Sequence, residues 1–228
     1  MTESQARDEI CAAGARLFAR GYVHATAGNI SVRLPASEGG GYLITPTDAC
    51  LGTLEPQRLA RLDAEGKQLA GDRASKTIAL HRAIYAATEA AGQPARCVLH
   101  THSTHCVALT LRPDARADAG ELLPALTPYF VMKVGRVPLV PYHRPGDPLA
   151  AKAVAELIAN YAARGVTLRA VMLSRLGPNV WADGPAAAAA ALEELEETAR
   201  LAVIDGGTAA PLEPAQVAEL RQVFGAQW

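Results

Sequence analysis

The stretch VLHTHSTHC, Val98 to Cys106, carries three histidines within six residues. Residues i and i+2 of a strand point to the same side. On an extended segment, His100 and His102 therefore aim two imidazoles at one point. A first-row divalent metal asks this of adjacent ligands, with neutral imidazole nitrogen as the donor. The alternative is a pair of hydrogen-bonded histidines at a strand end. His105 is out of phase with the pair and reads as a structural or supporting group. His81 stands among apolar residues at helical spacing and reads as a core histidine, whereas His24 and His143 lie in loop-like contexts.

Other groups with chemistry to offer are spread along the chain. TAGNIS, Thr26 to Ser31, is a small-residue turn whose backbone amides can cradle an anion, with Asn29 adding a side-chain donor. TPT, Thr45 to Thr47, and ASK, Ala74 to Lys76, supply hydroxyls and a cation near element ends. Each of these is equally readable as an ordinary turn or cap.

The elements that position these groups follow from periodicity. SQARDEICAAGARLFARGY has helical spacing at Ile10, Ala13, Leu17 and Phe18, and Gly21 closes it. TAGNISVRL and GGGYLITPT read as a strand and its hairpin return, and DAEGKQL as a turn between short strands. SKTIALHRAIYAATEA reads as a helix capped by Ser75, ARCVLHTHS as a buried strand, and THCVALTLR as a short helix. LPALTPYFVMKVGRVPLVPY offers strand-like runs broken by Pro and Gly. A helix is expected from Asp147, then two strands around a turn in LRAVMLSRLGPNVWADG. A long helix from Pro185 to before Gly206 and a short one in the tail complete the chain. No linker or repeat interrupts residues 1–228, so one α/β domain with helices covering a mixed sheet is expected.

Bulk properties exclude several classes. Lys and Arg number 22 against 23 Asp and Glu, a net charge of -1 that leaves no electrostatic footprint for nucleic acid or an anionic membrane. The longest apolar run, in GPAAAAAALEELEE, is too short to span a bilayer. The N-terminus is unlike a signal peptide. The four cysteines show no CxxC pairing, so neither a zinc knuckle nor a disulfide framework is indicated, and a reduced cytoplasmic compartment is expected.

Taken in order, TAGNIS, ITPT, ASKT, HTHS and RLGP resemble the class II aldolase/adducin family. Its pattern is an A-G-N turn, a T-P-T/S loop, a P-S-S/K-E helix start, H-x-H on a strand and a late H-G. Within the family the likeness runs to the 3-oxo-tetronate 4-phosphate decarboxylases, through ITPTDACLGTLEPQRL, LAGDRASK, LTPYFVMKVGRVPLVPYHRPGD and LEELEETARL. The resemblance implies a three-layer αβα fold with a mixed, mainly antiparallel sheet. It also implies a carbon–carbon lyase acting on a small phosphorylated sugar acid or sugar phosphate. A divalent metal, usually zinc (Zn2+), would stabilise the enediolate. A homo-oligomer, commonly a tetramer, is expected.

By the same resemblance, His100 and His102 match two of three metal histidines. Asn29, Thr47, Ser75 and Lys76 match positions that hold phosphate. Tyr129 matches a tyrosine that reaches a neighbouring subunit's site. Three positions depart from the pattern. Asp48 stands where the T-P-T-G loop has glycine. Thr77 replaces the glutamate that serves as resting metal ligand and acid/base, and Leu176 replaces the third metal histidine. Threonine is no base near neutral pH without activation, and leucine binds no metal. His143, where those enzymes have tyrosine, is a candidate replacement ligand. Two expectations follow: a lyase with an altered metal site, or a member of the fold with a binding or repurposed role.

Overall fold

The computed structural model describes residues 1–112 and 120–228. Helix α1 (Glu3–Ala19) opens with a reciprocal cap, in which the Thr2 hydroxyl accepts from Gln5 N and the Gln5 side chain accepts from Thr2 N. It buries Ile10, Ala13 and Leu17, as the helical spacing predicts, and ends before Gly21, whose φ of 74° is left-handed.

Strands β1 (Asn29–Arg33), β2 (Tyr42–Ile44), β3 (Ala60–Leu62) and β4 (Gln68–Ala70) form an antiparallel meander. Strand β5 (Cys97–His100) lies beside β1. Strands β6 (Leu139–Val140), β7 (Ala170–Leu173) and β8 (Gly177–Ala182) complete an eight-stranded sheet of order β4-β3-β2-β1-β5-β8-β7-β6. Every pairing is antiparallel except β6 with β7.

Strand alternation sorts the core into two layers. Ile30, Val32, Leu99, Met172 and Val180 pack with Ile10 and Leu17 of α1 and with Leu192 and Leu195 of α6 (Pro185–Ile204). On the other face, Val98, Val171 and Trp181 pack with Ile84 and Tyr85 of α2 (Ile78–Ala90) and with Val154 and Ile158 of α5 (Pro148–Ala163). The result is the expected αβα sandwich. Short helices α3 (Thr104–Thr110) and α4 (Pro128–Lys133) and the terminal α7 (Pro214–Phe224) complete it. Among the described residues no helix is long and apolar enough to cross a membrane.

Three local expectations are corrected. The strand-like run around Tyr129 contains helix α4, because the Thr127 hydroxyl accepts from Phe130 N and Pro128 sits in the first turn. Only Leu139–Val140 of that run pairs in the sheet. Helix α2 starts at Ile78 rather than from a Ser75 cap: Ser75 to Thr77 form a turn in which the Ser75 carbonyl accepts from Ile78 N at 3.2 Å. Strand β5 ends at His100, so His102 rides on the turn into α3 rather than on the strand.

Candidate functional site

Strand β5 is central, and its last residue, His100, has Asn29 of β1 and Asn179 of β8 directly opposite in register. This polar row lies on the α2/α5 face of the sheet, where Val98, two residues earlier, packs with Trp181 and Val171. His100 Nδ1 lies 2.9 Å from the Pro178 carbonyl oxygen. A carbonyl can only accept, so Nδ1 carries the proton and Nε2 keeps its lone pair. Burial pushes this imidazole down to about 4, the neighbouring His102 adds to the push, and the Pro178 carbonyl opposes it. At neutral pH His100 is an uncharged acceptor.

His102 meets His100 edge-on, with ring centroids 5.0 Å apart, although the turn rather than the strand carries it. Burial lowers its pKa, and His24 contributes in the same direction. Two glycines mould the backbone here. A Cβ on Gly28, at φ 86°, would stand 2.9 Å from the His100 carbonyl. Gly177, at φ 114°, lies against the Thr101 carbonyl. The small residues of the A-G-N and L-G-P motifs thus let two neighbouring segments close on the histidine segment.

A cavity of about 350 Å3 opens over this pair. Asn29, Thr47, Ser75, Lys76, Thr77, His100, His102 and Leu176 all line it, so eight sequence-predicted positions converge. Asn29 Nδ2 donates to Thr77 Oγ1 at 3.3 Å, while the buried Asn29 Oδ1 has no protein partner. Ser75 Oγ lies 3.3 Å from Thr77 Oγ1. Asp48 also lines the cavity and is exposed, with a left-handed φ of 57°. That conformation is what a glycine at this loop position would supply, and aspartate is among the residues that tolerate it.

The remaining predicted residues lie elsewhere. Tyr129 is 62% exposed on α4, and His143 is half-buried; neither lines the cavity. His105 Nδ1 and backbone N both meet Glu196 Oε1, at 2.8 and 2.9 Å, while Cys106 N donates to Glu196 Oε2 at 3.0 Å. Glu196, 2% exposed on α6, thereby caps α3 and secures the turn that holds His102.

Beneath the site lies a buried polar layer. Tyr85 OH lies 3.0 Å from the Ser31 carbonyl oxygen and 2.7 Å from Ser31 Oγ, which in turn lies 2.8 Å from His81 Nδ1. His81 Nε2 is buried without a protein partner, and both amide atoms of Asn179 also lack one. Burial first, and His100 second, hold His81 down to about 3. The core-histidine reading of His81 is half met, since one ring nitrogen is satisfied and the other is not.

The donor set can be compared with what a catalytic zinc requires, namely three protein ligands with a fourth position open. His100 and His102 offer two imidazoles. Among the described residues no group of three His, Cys, Asp or Glu side chains is placed to hold an ion. Thr77 contributes a neutral hydroxyl engaged with Asn29, and Leu176 contributes hydrocarbon. These residues do not fit a catalytic zinc. What the cavity does offer is a set of hydroxyl and amide groups with one ammonium, beside two uncharged imidazoles and an apolar wall.

A family model described as Class II Aldolase and Adducin N-terminal domain matches residues 8–203. A 3-oxo-tetronate 4-phosphate decarboxylase of Cupriavidus necator is 50% identical over 232 residues, covering 100% of this chain and 99% of its own. A protein of the same name from Escherichia coli strain K12 is 40% identical over 222 residues, 96% of each chain. The crystal structure of YgbL from Escherichia coli matches with a TM-score of 0.85 at 39% identity, covering 96% of this chain and 99% of its own.

Proposed function

The chain belongs to the class II aldolase and adducin family, and from that premise we propose that its cavity receives a phosphorylated four-carbon sugar acid without running the family's metal-stabilised decarboxylation. One observation carries this reading. Thr77 and Leu176 line the cavity with His100 and His102, at the positions where the family pattern has a carboxylate and a third imidazole. Neither side chain can replace the group it stands for. Threonine stays protonated near neutral pH, and leucine has no donor atom.

Asn29, Thr47, Ser75 and Lys76 hold the phosphate in this reading. They come from the start of β1 and two separate loops, and bring an amide, two hydroxyls and a cation to one cavity. Asp48 opposes the anion, and its exposure lets solvent screen the repulsion. Tyr129 stands out from α4 toward a second copy in a homotetramer, residues 1–228 act as one domain, and the chain works in the cytoplasm.

A second reading keeps the lyase. It is favoured by 50% identity along the whole of a decarboxylase and by His24, near enough to His102 to lower its pKa. One assay separates the two: release of carbon dioxide and dihydroxyacetone phosphate from 3-oxo-tetronate 4-phosphate, with zinc supplied. No release above the uncatalysed rate, together with saturable binding of the stable analogue erythronate 4-phosphate, is expected. Turnover that disappears in His100→Ala would establish the lyase instead.

A further inference from the structure

We infer that Arg144 forms a carboxylate subsite on the wall of the same cavity that Lys76 lines, so that the pocket selects ligands with two anionic ends. This rests on the reading of the cavity as a sugar-acid phosphate site and assigns the end of the ligand that the phosphate-binding residues leave unaccounted for.

Arg144 belongs to the loop between β6 and α5. Its carbonyl accepts from Asp147 N at 3.0 Å, across Pro145 and a Gly146 of φ 78°. Proline second and a left-handed glycine third make a type II turn, which holds the Arg144 backbone in place. The turn leads directly into the first residues of α5, of which Pro148, Ala150 and Ala151 also line the cavity. The positive end of a 16-residue helix thus lies on the same wall as Arg144.

Arg144 is not spent on structure. Its side chain is 71% exposed, and its contact with Asp147 Oδ2 is long, at 3.8 Å. The Asp147 carboxylate is already committed as the cap of α5, accepting from Leu149 N at 3.0 Å. Arginines that brace this fold are held much more closely: Arg7 to Glu3 at 2.6 Å, Arg58 to Asp72 at 2.7 Å and Arg136 to Glu121 at 2.7 Å.

Charge and shape give the rest. A planar guanidinium matches a carboxylate with two parallel hydrogen bonds, whereas an ammonium acts as a point charge suited to phosphate. Leu80, Leu173 and Leu176 give the same cavity an apolar share of its wall. Such a wall gives no partner to a neutral, hydrated end, while the 71% exposed Arg144 contributes through the fixed fork of its guanidinium rather than through desolvation. The volume of about 350 Å3 is at the small end of ligand pockets, in keeping with a short carbon chain.

The test uses two four-carbon probes, erythronate 4-phosphate and erythritol 4-phosphate, which differ in the carboxylate. Binding is measured by titration calorimetry at one ionic strength, on the full chain and on Arg144→Gln and Arg144→Lys. The wild type is expected to prefer erythronate 4-phosphate by about tenfold or more. Arg144→Gln should remove that preference and leave erythritol 4-phosphate within about twofold, and Arg144→Lys should restore part of it. Thermal melting checks that the variants fold. Equal losses on both probes, or none on either, would overturn the subsite alone. Binding of neither probe by the wild type would overturn the sugar-acid phosphate reading and the subsite with it.

Discussion

Gly177 lies directly against the carbonyl of Thr101. Its φ of 114° is one that L side chains rarely adopt, and an added Cβ would overlap that oxygen and come within 3.2 Å of His102 Cα. The turn that lifts His102 off the end of β5 is shaped by the first residue of β8.

Gly177→Ala should therefore cost about 2–4 kcal/mol, combining backbone strain with displacement of a buried carbonyl. Urea unfolding measures it, and a loss below about 1 kcal/mol would show that the two segments separate freely.

Glu196 supports the same turn from the other side. Glu196→Ala would leave the amides of His105 and Cys106 without their acceptors and should destabilise the fold by about 2–4 kcal/mol. Glu196→Gln keeps one acceptor oxygen and should cost about half as much. Equal costs for the two variants would mean that the hydrogen bonds are not what matters.

His81 and His100 stay neutral in the fold well below the ordinary histidine range, at about 3 and about 4. The unfolded chain binds protons at these residues from about pH 6.5 downward, while the folded chain does not. Their stabilisation is complete above that pH and is lost as pH falls toward the folded-state values. Each contributes a slope of about 1.4 kcal/mol per pH unit in that window. Together they should make the unfolding free energy fall by about 2.8 kcal/mol per pH unit below about pH 6.5, followed down to about pH 4.5, and His81→Asn should remove about half of that slope. A profile unchanged by the substitution would contradict the assignment.

Thr77→Glu combined with Leu176→His should tighten zinc binding by about a thousandfold or more, because it takes the donor set from two to four. Competition with a chromophoric chelator reads this directly. His100→Ala in the doubly substituted chain should abolish the gain; a gain that survives it would place the ion elsewhere.

Much of this was legible in the chain. Helix α1, the β1–β2 hairpin, α5 with its Asp147 cap and the long α6 all announce themselves through local periodicity and end signals, as their bounds bear out. The convergence of Asn29, Thr47, Ser75, Lys76, His100 and His102 came from motif order, not from any local rule. What stayed hidden is long-range. Nothing near Glu196 points to an α3 cap 91 residues away in sequence. Nothing near Asn179 reveals that it faces His100. The aromatic and β-branched residues around Tyr129 suggest a strand, and the Thr127–Pro128 helix start overrules them.

The cap from Glu196 also has a consequence for how the chain matures. Strand β5 sits between β1, some seventy residues earlier in the chain, and β8, some eighty later, and its C-terminal turn is held by α6. During synthesis the segment bearing His100 and His102 can pair with β1 but lacks β8 and its cap until residue 196 has emerged. Contacts of such high sequence separation form late. The cavity is therefore completed only after residue 196 has been made, and until then an apolar strand edge at β5 is left uncovered for chaperones or neighbouring chains to find.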